Sequence, residues 1–290
     1  MSEHDDQRFR HYLEELGAGV PARRSFFDPR SVFWRVAREP ALLVAGMRAL
    51  LMQVAHPKVA QGVADHSRYR EDPLGRGIRT FSAVYAMVFG SRDQAIGAAL
   101  KVHGIHCRVQ GRVREPLPPG VDPAYSANDP QLLFWVAATL LDSSVVAYEA
   151  FVEPLSGAQK EELYQDSKLF GQLFGVPREL YPQTWRDFAH WMDEAYSAER
   201  LTVTATARDI CDSLLRGTWF TRVLAPANYV AAAMLLPDAL ADAYGFRRGV
   251  PVRLSYRVLV AVVRGLTRVV PRRLRGVPAA RRMERRLAKE

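Results

Sequence analysis

The sequence predicts an all-α protein, a single-domain multi-helix bundle. Apolar residues recur at helical spacing through most of residues 31–246, and no alternating run is longer than a few residues. Helix-start signals precede four of these segments: Ser31, Ser91 with Gln94 three residues on, Asp129-Pro130, and Ser156 with Gln159 three residues on. With 48% hydrophobic residues in a chain of 290, a full-sized core can be buried.

The elements follow in order. Residues 1–24 are polar, with a short helix over 6–16 and then a Gly/Pro/Arg loop. Residues 31–53 read as a helix interrupted at Pro40, and its second half, ALLVAGMRALLMQV, is apolar nearly all round and so buried. Pro57 opens a helix to about residue 66, and 67–76 is a charged loop. Thr80 begins an apolar helix that ends at Gly90. Ser91 caps the next, which carries Ile96, Leu100, His103 and His106 on one face and stops near Gly111. A Pro- and Asp-rich loop leads to a long helix from Asp129 to about residue 151. Helices follow over 156–174, 184–196 and 197–219, then two shorter ones over 227–236 and 238–244. LTVTATA, from Leu201, is the best strand candidate, but its alanines and setting favour helix.

This divides the chain into an N-terminal extension (1–30), a helical domain (31–246) and a basic tail (247–290). The formal net charge of +9 belongs to the tail, which holds 14 Lys/Arg against Glu284 and Glu290. The body is slightly acidic, so its charge does not suit nucleic acid. Residues 250–271 form a basic amphipathic helix with Arg253, Arg257, Arg264 and Arg268 in one stripe. Val258, Leu259, Val262, Leu266 and Val269 lie opposite. Either that apolar face docks on the body, or the helix binds anionic lipid at a membrane surface. Nothing aromatic interleaves with the basic residues, which again argues against nucleic acid. Cys107 and Cys211 give no disulfide framework, and there is neither a signal-peptide pattern nor an uncharged apolar run of about 18 residues. A cytoplasmic protein, with peripheral membrane contact as an option, is expected.

His103 and His106 hold the chemical interest. On a helix they project about 60° apart and can face one wall. Imidazole is a good iron ligand, and a haem needs an apolar slot with one axial histidine. Leu100, Val102, Ile105 and Val109 flank the pair. Spacing alone favours two core or interface histidines with satisfied hydrogen bonds. A zinc site would need further ligands, of which Asp187-x-x-His190 could add one.

Four motifs extend the pattern: Gln53-Val-Ala-His56-Pro57 continuing to Asp65-His66-Ser67, Pro73-x-x-Arg76-x-x-Arg79-Thr80, Phe89-Gly90, and His103-x-x-His106-x-x-Val109-x-Gly111. With Asp129-Pro130-x-Leu132-x-x-Trp135, they resemble the rubber-oxygenase (latex-clearing) catalytic domain family, also called the MpaB-type oxygenases, over roughly residues 30–245. The resemblance implies an all-helical fold around a haem b. It makes His106 the proximal iron ligand and His103 its neighbour, and it lines the pocket with Arg76, Arg79 and Thr80. Arg79 stands where the family carries a lysine that can reach the iron. A guanidinium does not give up its proton, so the distal position would fall to water or another histidine. Arg76 and Arg79 could also pair with the haem propionates, or with Glu71 or Asp72 at the surface. His56, before Pro57, either starts a helix or reaches the distal pocket. His66 could hydrogen-bond oxygen or act as a base there.

The expected function is a haem b-dependent oxygenase acting with O₂ on an apolar substrate such as a lipid or isoprenoid. A haem carrier or sensor, and a cofactor-free membrane-associated helical protein, are the alternatives.

Overall fold

A computed structural model describes residues 3–197, 201–216 and 219–289. The architecture is all-α, and the strands among the described residues form one two-stranded ribbon. The central element is α7 (Pro130–Phe151), started by Asp129, whose carboxylate accepts from Gln131 N at 2.9 Å. It buries residues on all sides, from Leu133 and Trp135 to Tyr148 and Phe151, which is the signature of a helix at the centre of a core. By length and composition alone α7 could cross a bilayer, but 67% of its apolar window is buried inside the protein.

Around α7 lie α2 (Val32–Ala37), α3 (Leu42–Val54) and α8 (Gly157–Leu173). Ser31 caps α2 through its hydroxyl on Trp34 N, and Ser156 with Gln159 forms the predicted capping box on α8. One buried guanidinium ties four elements together. Arg48 of α3 pairs with Asp142 of α7 at 2.6 Å and donates to Ser143 Oγ and to the Leu235 carbonyl at the end of α11 (Trp219–Leu235). Tyr196 of α9 (Trp185–Ser197) donates to the same Asp142 carboxylate. α11 runs through Pro226, whose missing N–H interrupts the ladder without ending the helix.

Several boundaries differ from expectation, and one of them is the start of α11, at Trp219 rather than at 227. α5 begins at Pro73, not at Thr80 (Pro73–Phe89), because Asp72 accepts from Gly75 N and Pro73 sets the first turn. α6 (Arg92–His106) ends before Gly111. Residues Gln110–Arg112 (β1) instead pair antiparallel with Ala124–Ser126 (β2), Gly111 opposite Tyr125. A Cβ on Gly111 would lie 2.7 Å from the Tyr125 hydroxyl, so glycine permits this approach, and that hydroxyl donates to Asp65. The expected 197–219 helix lies partly outside the described residues. Its described part, α10 (Ala205–Arg216), starts late because the Glu115 carboxylate accepts from Ala205 N and Thr206 N.

Both ends of the chain join the packed body. α1 (Glu3–Leu16) buries Leu13 and lies against α6. α13 (Val250–Val269) packs through Tyr256, Leu259, Val260 and Val263, and Arg264 donates to the Ala150 and Glu149 carbonyls at the end of α7. Of the five apolar residues expected on one face, Leu259 packs, while Val258, Val262, Leu266 and Val269 are exposed. α15 (Pro278–Leu287) buries Ala280 and Met283, and its Glu284 accepts from Trp34 Nε1 at 2.9 Å and Arg38 at 3.0 Å. Arg275 reaches the buried Glu39 at 2.8 Å.

Candidate functional site

The α5–α6 hairpin builds the site. Gly90 and Ser91 join the two helices. A Cβ on Gly90 would meet the Ala86 carbonyl at 2.2 Å, and Ser91 with Gln94 closes a reciprocal capping box. So short a connection makes the helices antiparallel neighbours, and they pack closely. The start of α5, with Arg76, therefore lies at the same end of the hairpin as His103 and His106 in the last turns of α6.

His106 is half-buried, its ring edge-on to Phe174 with centroids 5.5 Å apart. Its Nδ1 lies buried without a hydrogen-bond partner. A helix C-terminus favours a cation, but burial wins here and, with the His103 charge nearby, pushes the imidazole down to about 4. His106 is thus a neutral base at physiological pH. Arg76 is half-buried too, its buried Nη1 unpartnered, and desolvation lowers its affinity for the proton. The end of the hairpin thus offers a neutral imidazole and a guanidinium able to bind an anion.

His103 faces α1. Its ring stacks on Phe9 at 4.3 Å, and its Nε2 lies 3.7 Å from Asp6 Oδ1, an ion-pair approach too long for a hydrogen bond. Burial lowers the His103 pKa, against Asp6 and Asp5, which raise it. Cys107 Sγ completes a group with Asp6 and His103 whose ligand atoms lie within 4.8 Å of one another, and it accepts from Asn128 at 3.0 Å. Sequence reasoning missed Asp6, which lies almost a hundred residues away with no local signal.

The other predicted residues lie elsewhere. Arg79 is exposed and pairs with Asp72 at 3.0 Å, holding that carboxyl below the usual carboxylate range. Thr80 is exposed, its hydroxyl donating to the Arg76 carbonyl. His56 caps α4 (Pro57–His66) through Nδ1 on Lys58 N. His66 Nε2 lies 3.2 Å from the Gln110 carbonyl beside the β ribbon. Leu100 and Val102 join the cluster around Trp34, Val109 packs beside Tyr125, and Ile105 is exposed. Two cavities, of about 510 Å³ around Asp65, Tyr69 and Asp209 and about 530 Å³ around Cys211, Tyr229 and Phe246, are lined by neither His106 nor Arg76.

Residues 34–265 match the model of the family described as "ER-bound oxygenase mpaB/B'/Rubber oxygenase, catalytic domain". The chain belongs to this family. The matched span includes the α5–α6 hairpin with Arg76, His103 and His106, and it leaves out α1 and α15. Family membership supports an oxygenase-type function. Two uncharacterized proteins, one from Mycobacterium bovis and one from Mycobacterium tuberculosis, are each 25% identical over 236 residues, covering 77% of this chain and 88% of their own. No solved structure matches the chain.

Proposed function

We propose that this rubber-oxygenase family chain is a haem b-dependent oxygenase acting with O₂ on a small apolar substrate, lipid or isoprenoid in character. The supporting observation is a pair of buried, unpartnered atoms, His106 Nδ1 and Arg76 Nη1, on half-buried side chains at the same end of the hairpin. The donor set fits the group. A neutral imidazole is the form that binds iron, so the low proton affinity of His106 would suit it to hold the metal. Arg76 presents the guanidinium that would pair with a propionate carboxylate. Phe174 limits rotation of the His106 ring, and Phe9 and Asp6 of α1 hold His103 beside it. When bound, haem would supply the iron at which O₂ is activated for insertion into, or oxidative cleavage of, the substrate. Of this chain's residues, His106 would hold the iron and Arg76 a propionate. Arg79, Thr80, His56 and His66 are engaged in other contacts, and the reading rests on none of them.

Reconstitution with hemin tests it. The protein is expected to take up one haem with a Soret band, and His106→Ala to lose it, while Arg76→Gln binds more weakly. A protein that shows no Soret band, or one that His106→Ala leaves unchanged, would refute the assignment. Oxygen uptake with unsaturated lipids and isoprenoids then separates an oxygenase from a haem carrier.

A further inference from the structure

α13 is apolar on two faces, and the body uses one of them. Tyr256, Leu259, Val260 and Val263 pack against Ala147, Phe151, Ala231 and Leu235. On another face Leu254 is 60% exposed, Val258 56%, Val262 54%, Leu266 59% and Val269 80%. At the helical advance per residue these five fall within an arc of about 120° and extend some ~22 Å along the axis. Arg253, Arg257 and Arg268, all exposed, run along one border of the strip. Helical rotation is pinned, because Arg264 is committed to the Ala150 and Glu149 carbonyls. The strip therefore faces away from the body by construction. Contiguous apolar surface of this extent, rimmed by charge, marks an interaction site.

We propose that this strip is a membrane-docking face for anionic lipid. Leu254, Val258, Val262, Leu266 and Val269 enter the boundary between headgroups and acyl chains, while Arg253, Arg257 and Arg268 meet lipid phosphates. The occupant must be apolar and negatively charged at its edge, and an anionic bilayer is both. A second copy of this chain answers less well, because α13 carries no acidic residue to meet those arginines. The four arginines also exclude a membrane-crossing role for the helix. In this arrangement α13 lies in the plane of the interface, and the protein sits against a store of apolar molecules. The docking itself does not depend on the haem reading.

The test is co-sedimentation of the full chain with vesicles of phosphatidylcholine alone and of phosphatidylcholine mixed with phosphatidylserine. Wild type is expected to sediment with the mixed vesicles, more weakly at high salt, and poorly with phosphatidylcholine alone. Val258→Asp/Val262→Asp should lower partitioning by about tenfold or more, with unchanged circular dichroism and thermal midpoint because both sites are exposed. Arg257→Ala/Arg268→Ala should remove the preference for phosphatidylserine. Three outcomes would overturn the proposal: no binding by wild type, equal binding by Val258→Asp/Val262→Asp, or a wild-type dimer in sedimentation velocity that this variant dissolves. The second would mean adsorption by the basic tail without insertion, and the third would give the strip to a second copy. The Soret band of the same samples reports separately on the haem assignment.

Discussion

Replacing His106 by Leu should make the cofactor-free protein less sensitive to acid. In the fold the imidazole is pushed down to about 4, against 6.5 for an ordinary histidine. Between those values the unfolded chain binds a proton that the folded chain refuses, so stability rises with pH across this window and is lost as pH falls through it. At pH 5 the ratio of the two proton-binding terms is roughly 30, so this one group costs about 2 kcal/mol relative to neutral pH. Below pH 4 the cost levels off near ~3 kcal/mol. Leu carries no titrating group and keeps the contact with Phe174. It also removes Nδ1, a buried polar atom without a partner, whose presence costs about 1–3 kcal/mol. His106→Leu should therefore equal or exceed wild type at pH 7.5, and its advantage should widen by about 2 kcal/mol at pH 5. Urea unfolding of the cofactor-free proteins, followed by tryptophan fluorescence at the two pH values, measures the difference and cancels the titrations the proteins share. Parallel behaviour of the two proteins would show that His106 is not a buried neutral imidazole. A variant clearly weaker at pH 7.5 would show that the ring makes a contact absent from this structure.

Asp142→Ala leaves the buried Arg48 without its counter-ion and Tyr196 without its acceptor, so it should cost about 3–5 kcal/mol and lower the thermal midpoint by roughly 5–10 °C. Calorimetry of Arg48→Met/Asp142→Leu should show most of that loss recovered, because no unpaired charge stays buried. Glu284→Ala should cost about 1–3 kcal/mol by unpairing Trp34 Nε1 and Arg38, and the tail should become the first segment cut in limited proteolysis. Arg76→Met should leave the cofactor-free protein as stable as wild type while weakening hemin retention about tenfold, read by transfer to apomyoglobin. Equal retention would remove Arg76 from the proposed site.

Much of the helical frame was legible in the chain itself. The Ser91–Gln94 and Ser156–Gln159 boxes, Asp129-Pro130 and Pro57 are local devices, set by residues within one turn, and each starts a helix where expected. Asp72-Pro73 is a device of the same kind, and it starts α5 early enough to carry Arg76 on a helix. The family, too, was legible, through motifs spread from Gln53 to Trp135. Partner choice over long range was not. Arg76 and Arg79 are three residues apart, yet the first is half-buried with its Nη1 inside and the second pairs with Asp72 in solvent, because the packing of α5 against α6 decides which side is inside. Glu115 on the start of α10, Asp6 beside His103 and Glu284 on Trp34 join groups that no local pattern connects. On α13, periodicity predicts an amphipathic helix, but two apolar faces satisfy the same pattern. Only the Arg264 anchor and the shape of the α7–α11 surface decide which face is buried and which is left for a partner.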